Sequence, residues 1–189
     1  MSEQKKAAVF FDRDGTLIRD MGYPRDPAQV EMIPGVLPVL RWLKQQGVML
    51  VVFSNQSGIG RGIIQPEEAE RVKERFIEMF RAEGIEFDGY FCCPHAPEEG
   101  CECRKPKPGM LLQAQKQLNL DPSRSYTIGD RLSDVEAGLR AGTKGILFTD
   151  HPDNRKMSTK PDFHALSWED VLHYMKQDMK QGSEEERHR

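Results

Sequence analysis

The stretch VFFDRDGTLI, residues 9–18, places two aspartates directly behind an apolar run and a Gly-Thr pair behind the second aspartate. The run AAVFF, residues 7–11, predicts a β-strand. Carboxylates are unfavourable in the interior of a buried strand, because an unpaired buried charge is costly. Asp12 and Asp14 therefore mark either the point where the chain reaches water or a site that needs negative charge.

The composition is that of an ordinary soluble globular protein. The chain has 189 residues, of which 38% are hydrophobic and 30% charged, and we expect one domain over residues 1–177. A net charge of −3 gives no sign of a nucleic-acid or membrane partner. The N-terminus lacks the apolar segment of a signal peptide, so we expect a cytoplasmic protein. The polar tail, residues 178–189, is expected to be disordered.

Short apolar runs alternate with helical patterns along the chain. The predicted strands are 7–11, 48–53, 88–93, 125–129 and 145–149, and the predicted helices are 35–47, 66–84, 109–119, 133–142 and 168–177. This alternation favours a Rossmann-like α/β fold, in which helices cover both faces of a mostly parallel sheet in three layers. Ligands of such sheets bind beyond the carboxyl ends of the strands.

Polar residues follow three of the predicted strands. Asp12 follows the first, Ser54 and Asn55 the second, and Asp130 the fourth, with Asp134 one helical turn further on. Taken singly, each has a plain explanation as a solvated turn, a flexible loop or a helix cap. Together the carboxylates make an oxygen-rich site that suits Mg²⁺.

Two further segments could bind an anion. The loop SNQSGIGRG, residues 54–62, can offer backbone N–H groups and a hydroxyl to phosphate oxygens, although a plain flexible loop is the alternative. The segment RKPKP, residues 104–108, supplies Arg104 and Lys105. Adjacent basic residues are usually just exposed charge, but the prolines around Lys107 favour a fixed, extended segment.

In this order the motifs resemble those of the haloacid dehalogenase (HAD) superfamily of phosphatases. They are D-x-D-G-T after a strand, Ser-Asn after a strand, a later Lys, and G-D-x-x-x-D after a strand, and they span residues 8–150. The resemblance implies that Asp12 is the nucleophile that becomes an aspartyl phosphate. It implies that Asp14 protonates the leaving oxygen and then activates water.

The resemblance also implies the metal and phosphate ligands. Mg²⁺ would be held by Asp12, the backbone carbonyl of Asp14 and Asp130, with Asp134 supporting them from behind. Ser54 and Lys105 would bind the transferring phosphate oxygens.

All four cysteines lie within residues 92–103, in the segment CCPHAPEEGCEC. Disulfides are rare in a reducing compartment, so metal binding is the leading interpretation and reduced structural thiols the alternative. The pattern predicts a structural Zn²⁺ site in a loop at residues 92–104, with ligands Cys93, His95, Cys101 and Cys103. Cys92 could replace Cys93, which we prefer because its C-P-H context matches the family.

A zinc loop in this fold narrows the resemblance to a branch that contains heptose-bisphosphate and histidinol-phosphate phosphatases. Residues 20–23, 55–62 and 103–110 resemble the heptose enzymes, whereas the short spacer between His95 and Cys101 is shared with the histidinol-phosphate domains. Arg61, Arg104 and Arg131 could bind a second phosphate, which favours the bisphosphate. A non-catalytic, zinc-stabilised binding protein is the remote alternative.

The heptose resemblance implies removal of the C7 phosphate from D-glycero-D-manno-heptose 1,7-bisphosphate by a monomer without a large cap. It also implies a set of substrate-binding residues around the motifs. This set is Asp20, Gly22, Tyr23, Asn55, Gln56, Ser57, Arg104 and Arg131.

Overall fold

The computed structural model describes residues 4–149 and 151–187. Its strands are β1 (Ala8–Phe11), β2 (Met49–Asn55), β3 (Gly89–Cys93), β4 (Tyr126–Gly129), β5 (Lys144–Phe148) and β6 (Phe163–Ala165). They form one sheet in the spatial order β3-β2-β1-β4-β5-β6, and every neighbouring pair is parallel. The predicted mostly parallel sheet is confirmed. The sequence pattern missed β6, because three residues that include a histidine carry no period.

Helices cover both faces of the sheet. They are α1 (Val36–Gln45), α2 (Ser57–Gly60), α3 (Pro66–Ala82), α4 (Gly109–Gln117), α5 (Leu132–Arg140) and α6 (Trp168–Arg187). Val9 and Phe11 of β1 pack in one apolar cluster with residues of α1, α3 and α6. Ala8 and Phe10 belong to a second cluster with residues of α4 and α5. Alternate side chains of one strand thus enter two cores, which gives the predicted three layers.

The central pair of strands fixes the edge at which polar residues gather. β1 lies between β2 and β4, and the Asp12 N–H continues the ladder by donating to the Ile128 carbonyl at 2.9 Å. Because the three strands are parallel, their carboxyl ends meet at one edge. Asp12 and Asp130 directly follow β1 and β4, whereas Ser54 and Asn55 are the last two residues of β2 rather than part of the loop.

The prediction of a disordered tail is wrong for residues 178–187, because α6 continues to Arg187. The extension is held by contacts that the polar composition did not reveal. Asp178 accepts hydrogen bonds from Tyr126 Oη and Lys144 Nζ, and Met179 packs against the larger core cluster. Residues 188–189 of the predicted tail lie outside the described part of the chain. None of the helices within that part has the length and apolar character of a membrane span.

Candidate active site

A cavity of about 590 Å³ opens at the carboxyl ends of β1 and β2, beside the start of α5. Its walls include Asp12, Asp14, Lys105 and Asp134, together with every residue predicted to bind substrate: Asp20, Gly22, Tyr23, Asn55, Gln56, Ser57, Arg104 and Arg131. Ser54 and Asp130 do not line the cavity, and both are buried. The structure therefore brings residues from five separate segments of the chain to one place.

Three buried carboxylates converge at the base of this site. One oxygen from each of Asp12, Asp130 and Asp134 lies within 4.8 Å of the others. Asp130 Oδ1 is buried and has no hydrogen-bond partner among the described residues. Gly15 permits the approach, since a Cβ there would lie 2.5 Å from Asp130 Oδ2. Hard oxygen donors with an unsatisfied buried atom fit a divalent cation such as Mg²⁺.

Lys105 is the cation that this cluster contains. Its Nζ lies 2.7 Å from Asp12 Oδ1 and 2.6 Å from Asp134 Oδ1, and it donates to the Phe53 carbonyl. Burial would lower the pKa of Lys105, but attraction to the two carboxylates outweighs burial and raises that pKa. The lysine is therefore held charged beside the carboxylate expected to act as nucleophile.

The carboxylates still carry more negative charge than one lysine offsets. Burial raises the pKa of Asp12 to about 7, although Lys105 opposes the rise. Burial, with repulsion from Asp12 and Asp134, raises the pKa of Asp130 to about 9. A bound divalent cation would lower both values, because it favours the ionised carboxylates.

Asp14 is oriented by a network that sequence analysis did not predict. The buried Arg13 donates Nε and Nη2 to the two oxygens of Asp14 at 3.0 and 3.1 Å, and its Nη1 donates to Tyr90 Oη. Gln56 Nε2 donates to Asp14 Oδ2 at 2.9 Å and to Ser54 Oγ at 2.7 Å. A bidentate guanidinium and an amide thus fix the carboxylate that would exchange protons.

Asn55 holds the lysine segment as well as lining the cavity. Its Oδ1 accepts from the Lys105 backbone N–H at 3.1 Å, and its Nδ2 donates to the Lys105 carbonyl at 3.4 Å. Only the substrate role was predicted for this residue. The amide ties the end of β2 to the RKPKP segment and so fixes the backbone from which Lys105 extends.

Two of the three arginines considered for a second phosphate line the cavity. Arg104 has a buried Nη1 without a hydrogen-bond partner in the described structure. Arg131 Nη2 lies 3.6 Å from Asp20, and its Nη1 lies 3.4 Å from Asp153. Arg61 is exposed and is not part of the cavity wall. The cavity therefore offers guanidinium groups beyond the carboxylate cluster.

The predicted zinc ligands also come together. Contacts among Sγ of Cys93, Cys101 and Cys103 and Nδ1 of His95 measure 3.2–3.5 Å. Thiolates on a tetrahedral zinc lie about 3.8 Å apart, given a Zn–S distance of about 2.3 Å, so these donors lie slightly closer together than in a loaded site. Three thiols and one imidazole are nevertheless a donor set that zinc takes. Cys92 does not belong to this group. Neighbouring residues of a strand point to opposite faces, which explains why only Cys93 reaches it.

The loop that carries the predicted zinc ligands is tied to the loop after β2 through the backbone. The Gln56 N–H donates to the Cys93 carbonyl and the Gly60 N–H to the Pro94 carbonyl, both at 2.8 Å. A Cβ on Gly60 would lie 2.5 Å from the Ala96 nitrogen, so this close approach requires glycine. The cysteine cluster thereby supports the segment that carries Gln56.

The sequence analysis missed several residues of the cavity wall. These are Pro106, Ser133, Asp153, Asn154 and Met157. Three of them follow β5, so the rule that ligand sites lie beyond strand ends could have pointed to them. No known motif marks this segment in the sequence.

Comparison with known proteins gives consistent relatives. The HAD-hydrolase-like family matches residues 102–170. The D-glycero-β-D-manno-heptose-1,7-bisphosphate 7-phosphatase of Yersinia pestis is 40% identical over 177 residues, covering 89% of this chain and 94% of that protein. The enzyme of the same name from Escherichia coli K12 is 37% identical, covering 92% of this chain and 95% of its own.

A solved structure agrees with these sequence relatives. It is the D,D-heptose 1,7-bisphosphate phosphatase from B. bronchiseptica complexed with magnesium and phosphate, which superimposes with a TM-score of 0.81 at 27% identity. The alignment covers 91% of this chain and 99% of that one.

Proposed function

The chain belongs to the D-glycero-β-D-manno-heptose-1,7-bisphosphate 7-phosphatase family of HAD-like phosphoric monoester hydrolases, and we propose that it removes the C7 phosphate of that sugar bisphosphate. The observation that carries the proposal is the buried cluster of Asp12, Asp130, Asp134 and Lys105 at the base of a cavity lined by arginines. The products are heptose 1-phosphate and inorganic phosphate.

In the first step, a carboxylate oxygen of Asp12 attacks phosphorus and the bond from phosphorus to the C7 oxygen breaks. Asp14 gives its proton to the leaving oxygen. Ser54 and Lys105 donate hydrogen bonds to the phosphoryl oxygens as negative charge develops on them. Asp14, now a carboxylate, takes a proton from water, and the water oxygen attacks phosphorus to release phosphate and restore Asp12.

Asp12, Asp130 and the Asp14 carbonyl are the groups that would hold Mg²⁺, with Asp134 placed behind them. The ion would offset repulsion between the nucleophile and the phosphate dianion. The solved structure from B. bronchiseptica, which is a complex with magnesium and phosphate, supports this assignment.

The substrate assignment rests on the relatives and on the arginines of the cavity. Arg104 and Arg131 are the groups proposed to bind the C1 phosphate, which does not react. Histidinol phosphate carries a cation away from its phosphate, so these guanidinium groups disfavour it. The relatives named above act on the β-anomer by name, and we assign the same anomer to this chain.

We assign Zn²⁺ to Cys93, His95, Cys101 and Cys103 as a structural ion. Closed sites with four protein ligands typically stabilise a fold rather than perform chemistry. We also propose that the protein acts as a monomer on a soluble sugar phosphate in the cytoplasm. Light scattering coupled to gel filtration tests the oligomeric state.

The deciding experiment compares phosphate release from both anomers of heptose 1,7-bisphosphate and from histidinol phosphate in the presence of Mg²⁺. We expect the β-anomer to give the highest kcat/KM and phosphorus NMR to show that the C1 phosphate is retained. Asp12→Asn should be inactive, because the amide is a poor nucleophile. Asp26→Asn is the matched control, since this exposed aspartate only caps a short turn, which asparagine also caps.

The alternatives predict different results. A higher kcat/KM for histidinol phosphate would show that the protein is a histidinol-phosphate phosphatase, as the short spacer between His95 and Cys101 suggests. No turnover of any of the three compounds would favour a binding protein.

A further inference from the structure

Asn154 makes two buried hydrogen bonds to the backbone on either side of Arg131. Its Nδ2 donates to the Asp130 carbonyl at 3.0 Å, and its Oδ1 accepts from the Leu132 N–H at 2.7 Å. The residue is only 7% exposed. A carbonyl can only accept and a backbone N–H can only donate, so only one orientation of the amide satisfies both.

Asn154 comes from a distant part of the chain. It lies in the short 3₁₀ turn Pro152–Lys156, in the connection between β5 and β6. The turn is closed locally, because the Asp153 N–H donates to His151 Nδ1 and the Asn154 N–H to the His151 carbonyl. The amide therefore projects from an ordered turn rather than from an extended loop.

The turn that Asn154 brackets carries two groups of the site. Asp130 contributes to the carboxylate cluster, and its Oδ1 is the buried oxygen without a partner. Arg131 reaches the cavity wall, where Asp153 lies 3.4 Å from its guanidinium. The Arg131 N–H donates to Asp134 Oδ2 at 3.0 Å. Side chains of Asp134 and Asn154 thus satisfy three consecutive backbone positions of this turn.

We propose that Asn154 is a positioning residue that fixes the Asp130–Leu132 turn for metal binding and sets the direction of Arg131. The inference rests on the proposed function, since it takes Asp130 as a Mg²⁺ ligand. Without these hydrogen bonds the turn could move and carry the Asp130 carboxylate away from the cluster, and the ion would then bind a less ordered set of oxygens. Groups that orient metal ligands typically contribute 10–100-fold to metal affinity.

The test measures the Mg²⁺ dissociation constant by calorimetry on the zinc-loaded protein. Asn154→Leu keeps the number and branching of the side-chain heavy atoms and removes both hydrogen bonds. Asn154→Ala, which is smaller, is the variant to use if the leucine variant fails to fold. Arg155→Ala is the matched control, because this residue lies in the same turn and is exposed. Circular dichroism and zinc content establish that each variant is folded.

We expect the Asn154 variants to raise the Mg²⁺ dissociation constant by about 10–100-fold, and Arg155→Ala to leave it unchanged. Saturating Mg²⁺ should restore most of kcat. Because the ion also stabilises the folded state, the dissociation constant of the folded variant, and not this rescue, separates positioning from destabilisation. A folded Asn154 variant that binds Mg²⁺ as tightly as wild type would overturn the inference. A wild-type protein that binds no Mg²⁺ would instead refute the metal site of the proposed function.

Discussion

Replacing Lys105 by methionine removes the only cation in contact with the buried carboxylates among the described residues. Its side chain is 3% exposed, and its ammonium lies 2.7 Å from Asp12 and 2.6 Å from Asp134. Breaking a buried pair by removing one partner typically costs 3–5 kcal/mol, because the remaining charge has no compensation. We expect the free energy of unfolding of Lys105→Met to fall by about this amount in magnesium-free buffer at pH 8.

The nearby Lys107 provides the control, since it is in the same RKPKP segment but on the surface. Its side chain is 39% exposed and pairs with Glu102, which is 86% exposed. Exposed ion pairs contribute about 0–1 kcal/mol, so Lys107→Met should be nearly neutral. Urea denaturation measures both variants.

Mg²⁺ and substrate turnover complete the test of Lys105. Added Mg²⁺ should recover part of the lost stability of Lys105→Met, because the ion replaces the missing positive charge and binds only the folded protein. Turnover should fall by about 10²–10³-fold, as when one group that stabilises transition-state charge is removed. Equal destabilisation by the two lysine substitutions would refute the claim that Lys105 offsets buried charge.

The other predictions concern zinc and pH. Metal analysis should show that Cys103→Ser loses zinc, and both its stability and its kcat should fall, because Arg104 and Lys105 directly follow this ligand. Cys92→Ser is the control and should keep zinc. A Cys103→Ser variant that is active without zinc would contradict the proposal that zinc supports the Arg104–Lys105 segment. In magnesium-free buffer, folding raises the pKa of Asp12 from 3.8 to about 7, so the folded state binds the extra proton below that value. The free energy of unfolding should therefore fall as the pH rises from about 4 to about 7, and the raised pKa of Asp130 extends the fall toward about 9. Asp12→Asn should make this dependence shallower in urea titrations without abolishing it, because Asp130 still titrates. An unchanged slope between about pH 4 and about pH 7 would show that Asp12 does not titrate in this window.

The parts of the site that sequence predicted are those in which one local rule suffices. Asp12 and Asp130 follow apolar runs, and the carboxyl ends of parallel strands must meet, so their convergence follows from fold class alone. The spacing of His95 and its cysteines follows from the geometry of a tetrahedral ion. In these cases the pattern is short and the chemistry admits few alternatives.

The residues that escaped prediction act over long sequence distances. Arg13 donates to Tyr90 of β3, which is 77 residues away, and Asn154 acts on a turn 24 residues away. The local sequence does not indicate which backbone groups an amide side chain such as that of Asn154 will contact in the folded protein. The role of Asp178 was not predicted for the same reason, since its partners Tyr126 and Lys144 belong to two strands that are distant from α6 in the sequence.

The position of β1 in the sheet has a consequence for how the protein is made. β1 is complete within the first residues of the chain, yet its second edge stays bare until β4, residues 126–129, has been synthesised. β2 can cover one edge early, whereas the β1–β4 pairing closes a loop of more than a hundred residues, which is slow. A nascent chain therefore carries an apolar strand with an open edge until β4 has been synthesised. Asp12, the proposed nucleophile, can meet Asp130, the proposed metal ligand, only when that edge is closed, so we expect the site to form with the β1–β4 contact at the centre of the sheet.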